Sequence, residues 1–73
     1  MTYNEFRANV LKRFEDVKNP EAKEKYMTFI RENEDDIRSF YADGAECFVQ
    51  TGNEKTAFSG MIASCVNYIE MNS

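Results

Sequence analysis

The stretch Tyr26–Phe48, YMTFIRENEDDIRSFYADGAECF, constrains this chain most. Apolar or small residues recur at Tyr26, Phe29, Ile30, Ile37, Phe40, Tyr41, Gly44, Ala45 and Phe48. Those steps of three and four fit one face of an α-helix and not the alternation of a strand. The stripe is crossed by Glu32-Asn33-Glu34-Asp35-Asp36, four acids and an amide. The acidic block is either the exposed collar of one long helix or a junction between two. Its residue types favour a break. Asn33 is suited to end a helix, Asp35 to cap the next, and acids gather where a helix N-terminus exposes its N–H groups.

The rest of the chain reads as helix as well. Thr2-Tyr3-Asn4-Glu5 has the spacing of a capping box. Behind it Tyr3, Phe6, Val10, Phe14 and Val17 follow at helical spacing, and Lys12, Arg13 and Lys18 place positive charge near the negative end of the dipole. The pattern predicts a first helix over residues 3–18. Asn19-Pro20-Glu21 supplies an N-cap, a proline at the first helical position and an acid next, so a second helix runs over 20–33. The third covers 35–50. Gly52 and Asn53 then mark a stop and a start, and the fourth covers 54–71. No strand pattern, repeat or low-complexity segment interrupts this order. The expected fold is all-α, a small bundle of four helices in a single domain, residues 1–73, with the last two helices forming an antiparallel hairpin.

A hairpin turning near Gly52 sets Phe48 near Phe58, Gly44 and Ala45 near Gly60 and Met61, Tyr41 near Cys65, and Ile37 near Ile69. Glycine inside a helix is unfavourable, so Gly44 and Gly60 are both expected to serve close packing. The same register separates Cys47 and Cys65 by about 10 Å along the hairpin. That is too far for a disulfide, so two free thiols are expected. Outside any C-x-x-C spacing, both read as small core residues of a reducing compartment, and the cytoplasm is the expected location. No apolar run is long enough to span a membrane, and no charged segment followed by an apolar one marks a signal peptide.

With 73 residues the chain buries little surface, and chains of this size compensate by dense packing or by sharing a core. Ten aromatics, all Phe and Tyr, serve the first route. They are also numerous enough to leave some over for an exposed patch, which Met27 and Met71 would join. The tyrosines suit the rim, where a hydroxyl finds a partner.

The chemistry available is narrow. There is no histidine, which removes the commonest general base, the Ser-His and Cys-His nucleophile pairs and the commonest metal ligand. Gly52-Asn53-Glu54-Lys55-Thr56 lacks the glycines of a phosphate loop, and the acidic block does not match a calcium-loop spacing. The expectation is therefore no enzyme, no catalytic residue, no metal site and no cofactor.

Charge is unevenly spread. The net charge is −4; residues 26–50 carry six acids against two basic groups, while residues 1–25 carry five against six. An acidic middle disfavours direct contact with nucleic acid, which calls for a basic face. The basic residues Arg7, Lys12, Arg13, Lys18, Lys23 and Lys25 are interleaved with acids and read as a solvated face. The expected function is that of a small acidic protein–protein interaction module. Clustered carboxylates imitate phosphate charge, so the partner expected is a protein whose basic surface is built for nucleic acid. By analogy of class, this resembles the inhibitors of phages and mobile elements. The candidate partner-binding residues are Glu32, Glu34, Asp35, Asp36, Asp43 and Glu46. The alternative is a homo-oligomer joined through the small-residue fourth helix. It would either sequester an anionic ligand at Arg31, Arg38 or Lys55 or serve self-association alone.

Overall fold

The computed structural model describes all 73 residues as four helices and no strands: α1 Tyr3–Lys12, α2 Pro20–Glu32, α3 Glu34–Thr51 and α4 Glu54–Asn72. The expected all-α bundle is present. Three of the four helix starts follow the sequence signals. Thr2 Oγ1 accepts from the Glu5 N–H while the Glu5 carboxylate accepts from the Thr2 N–H, a complete capping box. Asn19 caps α2 ahead of Pro20, and Asn53 caps α4 through the Thr56 N–H. Gly52 ends α3 at φ +71°, the left-handed conformation that glycine adopts without steric penalty.

Two boundaries differ from the sequence reading. Helix α1 stops at Lys12, not Lys18. Beyond it Phe14, Glu15 and Val17 donate to carbonyls three residues back, a run of tight turns that the periodicity does not distinguish from helix. The reason is geometric. Helices over 3–18 and 20–33 would leave one residue to reverse the chain, and helix–helix connections need about two to eight. Giving up the last six residues of helix keeps Phe14 buried against Tyr26, ring centroids 4.9 Å apart, and frees the chain to reach Asn19.

The second difference lies in the acidic block. Helices α2 and α3 are separate, as favoured, but the break is one residue long. Asn33, at φ −126° and ψ 40°, ends α2 and begins α3. Asp35 does not cap α3; it lies within the first turn. Asn33 makes no side-chain cap either, because its Nδ2 turns back to donate to the Phe29 carbonyl. The exposed N-terminus of α3 is instead faced by Glu34, Asp35 and Asp36 in its first turn, which suits the helix dipole.

Helices α3 and α4 form the expected hairpin and the most extensive pairing in the molecule. The register is confirmed by Phe48 against Phe58, by Phe40 against Tyr68 and by a hydrogen bond from Tyr68 to Asp36. Gly44 serves the close approach: a Cβ there would stand 2.8 Å from Phe58 Cδ1 and 3.3 Å from Met61 Cγ. Gly60 does not. A Cβ at Gly60 meets nothing within 4 Å, so no packing within the chain explains a residue that costs a helix about 0.5–1 kcal/mol relative to alanine.

Helix α1 lies across the hairpin. Phe6, Val10 and Phe14 join Ile30, Ile37, Phe58, Ile62, Cys65 and Ile69 in one core. Around it the aromatic rings form three groups: Tyr3, Phe6, Tyr41, Phe48 and Phe58; Phe29, Phe40 and Tyr68; and the pair Phe14 and Tyr26. All ten rings take part in at least one ring–ring contact, most of them edge-on or tilted, the preferred geometry for such pairs. No aromatic is left exposed, which corrects the expectation of a spare aromatic patch. Met27 is half-buried against the core; the large apolar residues that do face water are Val49 and Met71. Both cysteines are free, Cys65 buried and Cys47 half-buried. No helix is long and apolar enough to cross a membrane.

Candidate functional site

The six candidate acids divide into two groups. Glu34 and Asp36 are tied into the fold. Arg7 Nε donates to Glu34 Oε1 at 2.7 Å, and the Tyr3 hydroxyl donates to the other carboxylate oxygen. This joins α1 to the start of α3. The Arg7 hydrogen bond holds the Glu34 carboxyl below its usual range, with the Tyr3 bond acting in the same direction. Burial and the Glu34 carboxylate together push the Tyr3 hydroxyl up to about 12. Arg38 lies over the Tyr3 ring, 4.1 Å from its centroid, and closes the cluster. On the other flank, the Tyr68 hydroxyl donates to Asp36 Oδ2 at 3.0 Å, which joins α3 to the last part of α4 and raises the Tyr68 pKa. One acidic residue thus reaches toward α1 and another toward α4, and between them they hold the single-residue junction at Asn33 in place.

Glu32, Asp35, Asp43 and Glu46 are different. All four are exposed, and none has an ion-pair partner within the chain. Glu32 is the last residue of α2. The other three lie along the outward face of α3, opposite the face that buries Ile37 and Gly44. At 1.5 Å per residue, Asp43 stands about 12 Å along the axis from Asp35, and Glu46 about 4.5 Å farther. Between them the face carries Ser39 and Ala42, and at its end Val49, which is 85 % exposed. Of the cations near these acids, Arg38 is engaged over Tyr3 and Arg31 pairs with Glu24. Arg31, Glu32, Asn33, Glu34, Asp35 and Asp36 also line an open hollow of about 320 Å³ at the junction, with no apolar residue among them.

Comparison with protein-family models, with curated proteins and with solved structures finds no match in any of the three.

The remaining reactive groups do not converge. Nowhere do three or more carboxylates or thiols come together closely enough to hold a metal ion. Burial pushes the Cys65 thiol up to about 11, which leaves it protonated and unreactive at neutral pH. The three cations named for an anionic ligand are not neighbours within one chain. Arg31 pairs with Glu24 at 3.5 Å, Arg38 covers Tyr3, and Lys55 opens α4 at the other end of the hairpin, about 18 Å along it from Arg38. Of the basic residues read as a solvated face, Arg7 and Lys23 are half-buried; the partner of Arg7 lies 27 residues away, and Lys23 Nζ donates to the Glu15 carbonyl at 3.4 Å. Tyr3, Arg7 and Tyr68 are the residues that the sequence reading did not connect to the acids. The one available signal was the need of each half-buried hydroxyl for a partner.

Proposed function

We propose that the protein is a binding module whose unpaired acids, Glu32, Asp35, Asp43 and Glu46, occupy a basic surface of a protein target. The supporting observation is their arrangement: three carboxylates along the outward face of α3 with Glu32 at the end of α2, all exposed and free of ion-pair partners within the chain, in a chain of net charge −4. Carboxylates held this way present negative charge at fixed spacing, as a phosphate backbone does, and lose little freedom on binding. The target is therefore a protein whose basic groove serves nucleic acid, and the effect is inhibition by occupancy, as with small acidic inhibitors of phages and mobile elements. The module works in the cytoplasm, where both thiols stay reduced.

The decisive experiment captures partners from a lysate with the intact chain, then measures affinity for the captured protein against salt and against duplex DNA. The reading expects binding to weaken steeply with salt, to be competed by the duplex, and to be lost in the triple variant Asp35→Lys, Asp43→Lys, Glu46→Lys. Affinity indifferent to salt and to that variant would overturn it.

A further inference from the structure

We propose that α2 and α3 straighten at Asn33 into one continuous helix, and that two copies then exchange elements, each laying its α1 and α2 on the α3–α4 hairpin of the other. The hinge is a single residue. Asn33 alone leaves the helical conformation, at φ −126° and ψ 40°, and neither glycine nor proline occurs between Glu21 and Asp43. Around it the helical ladder is nearly intact. The Asn33 N–H still donates to the Phe29 carbonyl, and the Ile37 N–H donates to the Asn33 carbonyl. The Asp36 N–H makes a tighter bond to the same Asn33 carbonyl, and the N–H groups of Glu34 and Asp35 have no partner in the chain. A straight helix gives Glu34 and Asp35 the carbonyls of Ile30 and Arg31.

The side chains agree with the backbone. Tyr26, Ile30, Asn33, Ile37, Tyr41 and Gly44 follow in steps of three and four straight through the junction, so a single stripe lines the joined helix. All six are buried or half-buried.

The core selects a second copy as the occupant. Straightening carries α2, and α1 with it, off the hairpin and uncovers Phe6, Val10, Phe14 and Ile30. Helices α1 and α2 pack on the hairpin more than on each other, so they close no core by themselves. A hairpin of the same sequence offers what they lose: Glu34 for Arg7 and Tyr3, and Tyr68 for Phe29. Each contact broken within a copy re-forms between copies, which is why exchange of this kind is a low-cost route to a dimer. Two terms oppose it: the freedom lost on association, and the Glu32–Asp36 blocks of both copies, which meet beside the two-fold axis. The dimer therefore depends on concentration and is favoured by salt, which screens those acids.

Refolding the full chain from urea at about 10 µM and at about 1 mM, followed by sedimentation, tests the exchange. The concentrated sample is expected to contain a species of twice 8.5 kDa, more abundant in high salt and slow to dissociate on dilution, because release requires both helices to leave the hairpin. Arg7→Glu and Glu34→Arg separate exchange from a surface contact. Each variant alone sets like charges together where α1 meets α3. Refolded as a mixture, each α1 finds an opposite charge only on the hairpin of the other variant. The mixture should then give a heterodimer that melts above either variant alone. Asp35→Pro is tolerated in the first turn of α3, where that N–H has no partner, but breaks a continuous helix, so this variant should stay at 8.5 kDa. Asn33→Ala should strengthen dimerisation roughly tenfold, since two junctions per dimer gain helix propensity. A parent that remains at 8.5 kDa at the highest concentration and salt overturns the proposal. So does a mixture that melts no higher than its components, or a dimer unaffected by Asp35→Pro.

Discussion

Two glycines of similar appearance in the sequence differ in sign at the residue scale. Gly44 is buried, and an added Cβ would press on Phe58, whose ring is itself held between Phe6, Tyr41 and Phe48. The ring has no free direction in which to retreat, so Gly44→Ala should destabilise by about 1–3 kcal/mol despite the better helix propensity of alanine. Gly60→Ala should stabilise by about 0.5–1 kcal/mol, because nothing within the chain opposes the propensity gain. Urea melts of the two variants side by side check both signs. The sequence shows that glycine inside a helix needs a reason, but not which side of the helix supplies it. Spacing alone placed Gly44 and Gly60 at one level of the hairpin; the half-turn of rotation that points Gly60 outward depends on how α1 and α2 cover the remaining surface.

At the scale of elements, the junction at Asn33 is held by contacts from distant parts of the chain. The capping residues of α1, α2 and α4 act within three residues of themselves and were legible for that reason. The contacts of Glu34 with Tyr3 and Arg7, and of Asp36 with Tyr68, span 27 to 32 positions, and no local pattern announces them. The same distinction explains α1. Its apolar period continues through Phe14 and Val17, while its end is set by the space needed to turn toward α2. Because Glu34 is half-exposed, removing its pair with Arg7 should cost modestly. Glu34→Ala is expected to destabilise by about 1–2 kcal/mol at neutral pH. Its pKa is depressed in the folded chain, so its contribution is present above the unfolded value of 4.5 and is lost as pH falls through the lower folded value. The gap between parent and variant should therefore close in acid. Tyr3 works in the opposite direction. Its folded pKa, about 12, lies above the unfolded value of 10, so its contribution is complete below pH 10 and declines as pH rises toward 12. Tyr3→Phe should flatten the alkaline fall in stability. Thermal melts across pH 3–12 would show both slopes.

Over the whole molecule, the charge that maintains the fold is separable from the charge that faces outward, and this separation makes the proposed function testable without confusion. The acidic block looks uniform in sequence, and all six acids are equally good candidates for a partner. The structure assigns Glu34 and Asp36 to internal bonds and leaves Glu32, Asp35, Asp43 and Glu46 without them. Reversing Glu34 or Asp36 to lysine would set a positive charge against Arg7 or strand the Tyr68 hydroxyl, so a loss of binding there would be indistinguishable from a loss of fold. Reversing Asp35, Asp43 and Glu46 touches no internal contact. Three reversals, each shifting the charge by two, carry the chain from −4 to +2. The only structural cost expected is at Asp35, in the first turn of α3, where exchanging an acid for a base opposes the helix dipole by about 0.3–1 kcal/mol. The triple variant should therefore melt cooperatively within a few degrees of the parent, a shift of roughly the size that 1 kcal/mol produces in a domain this small. Partner capture should be lost at the same time. A triple variant that is folded and still binds with the parent's salt dependence would place the interface elsewhere and remove the acidic face of α3 from consideration.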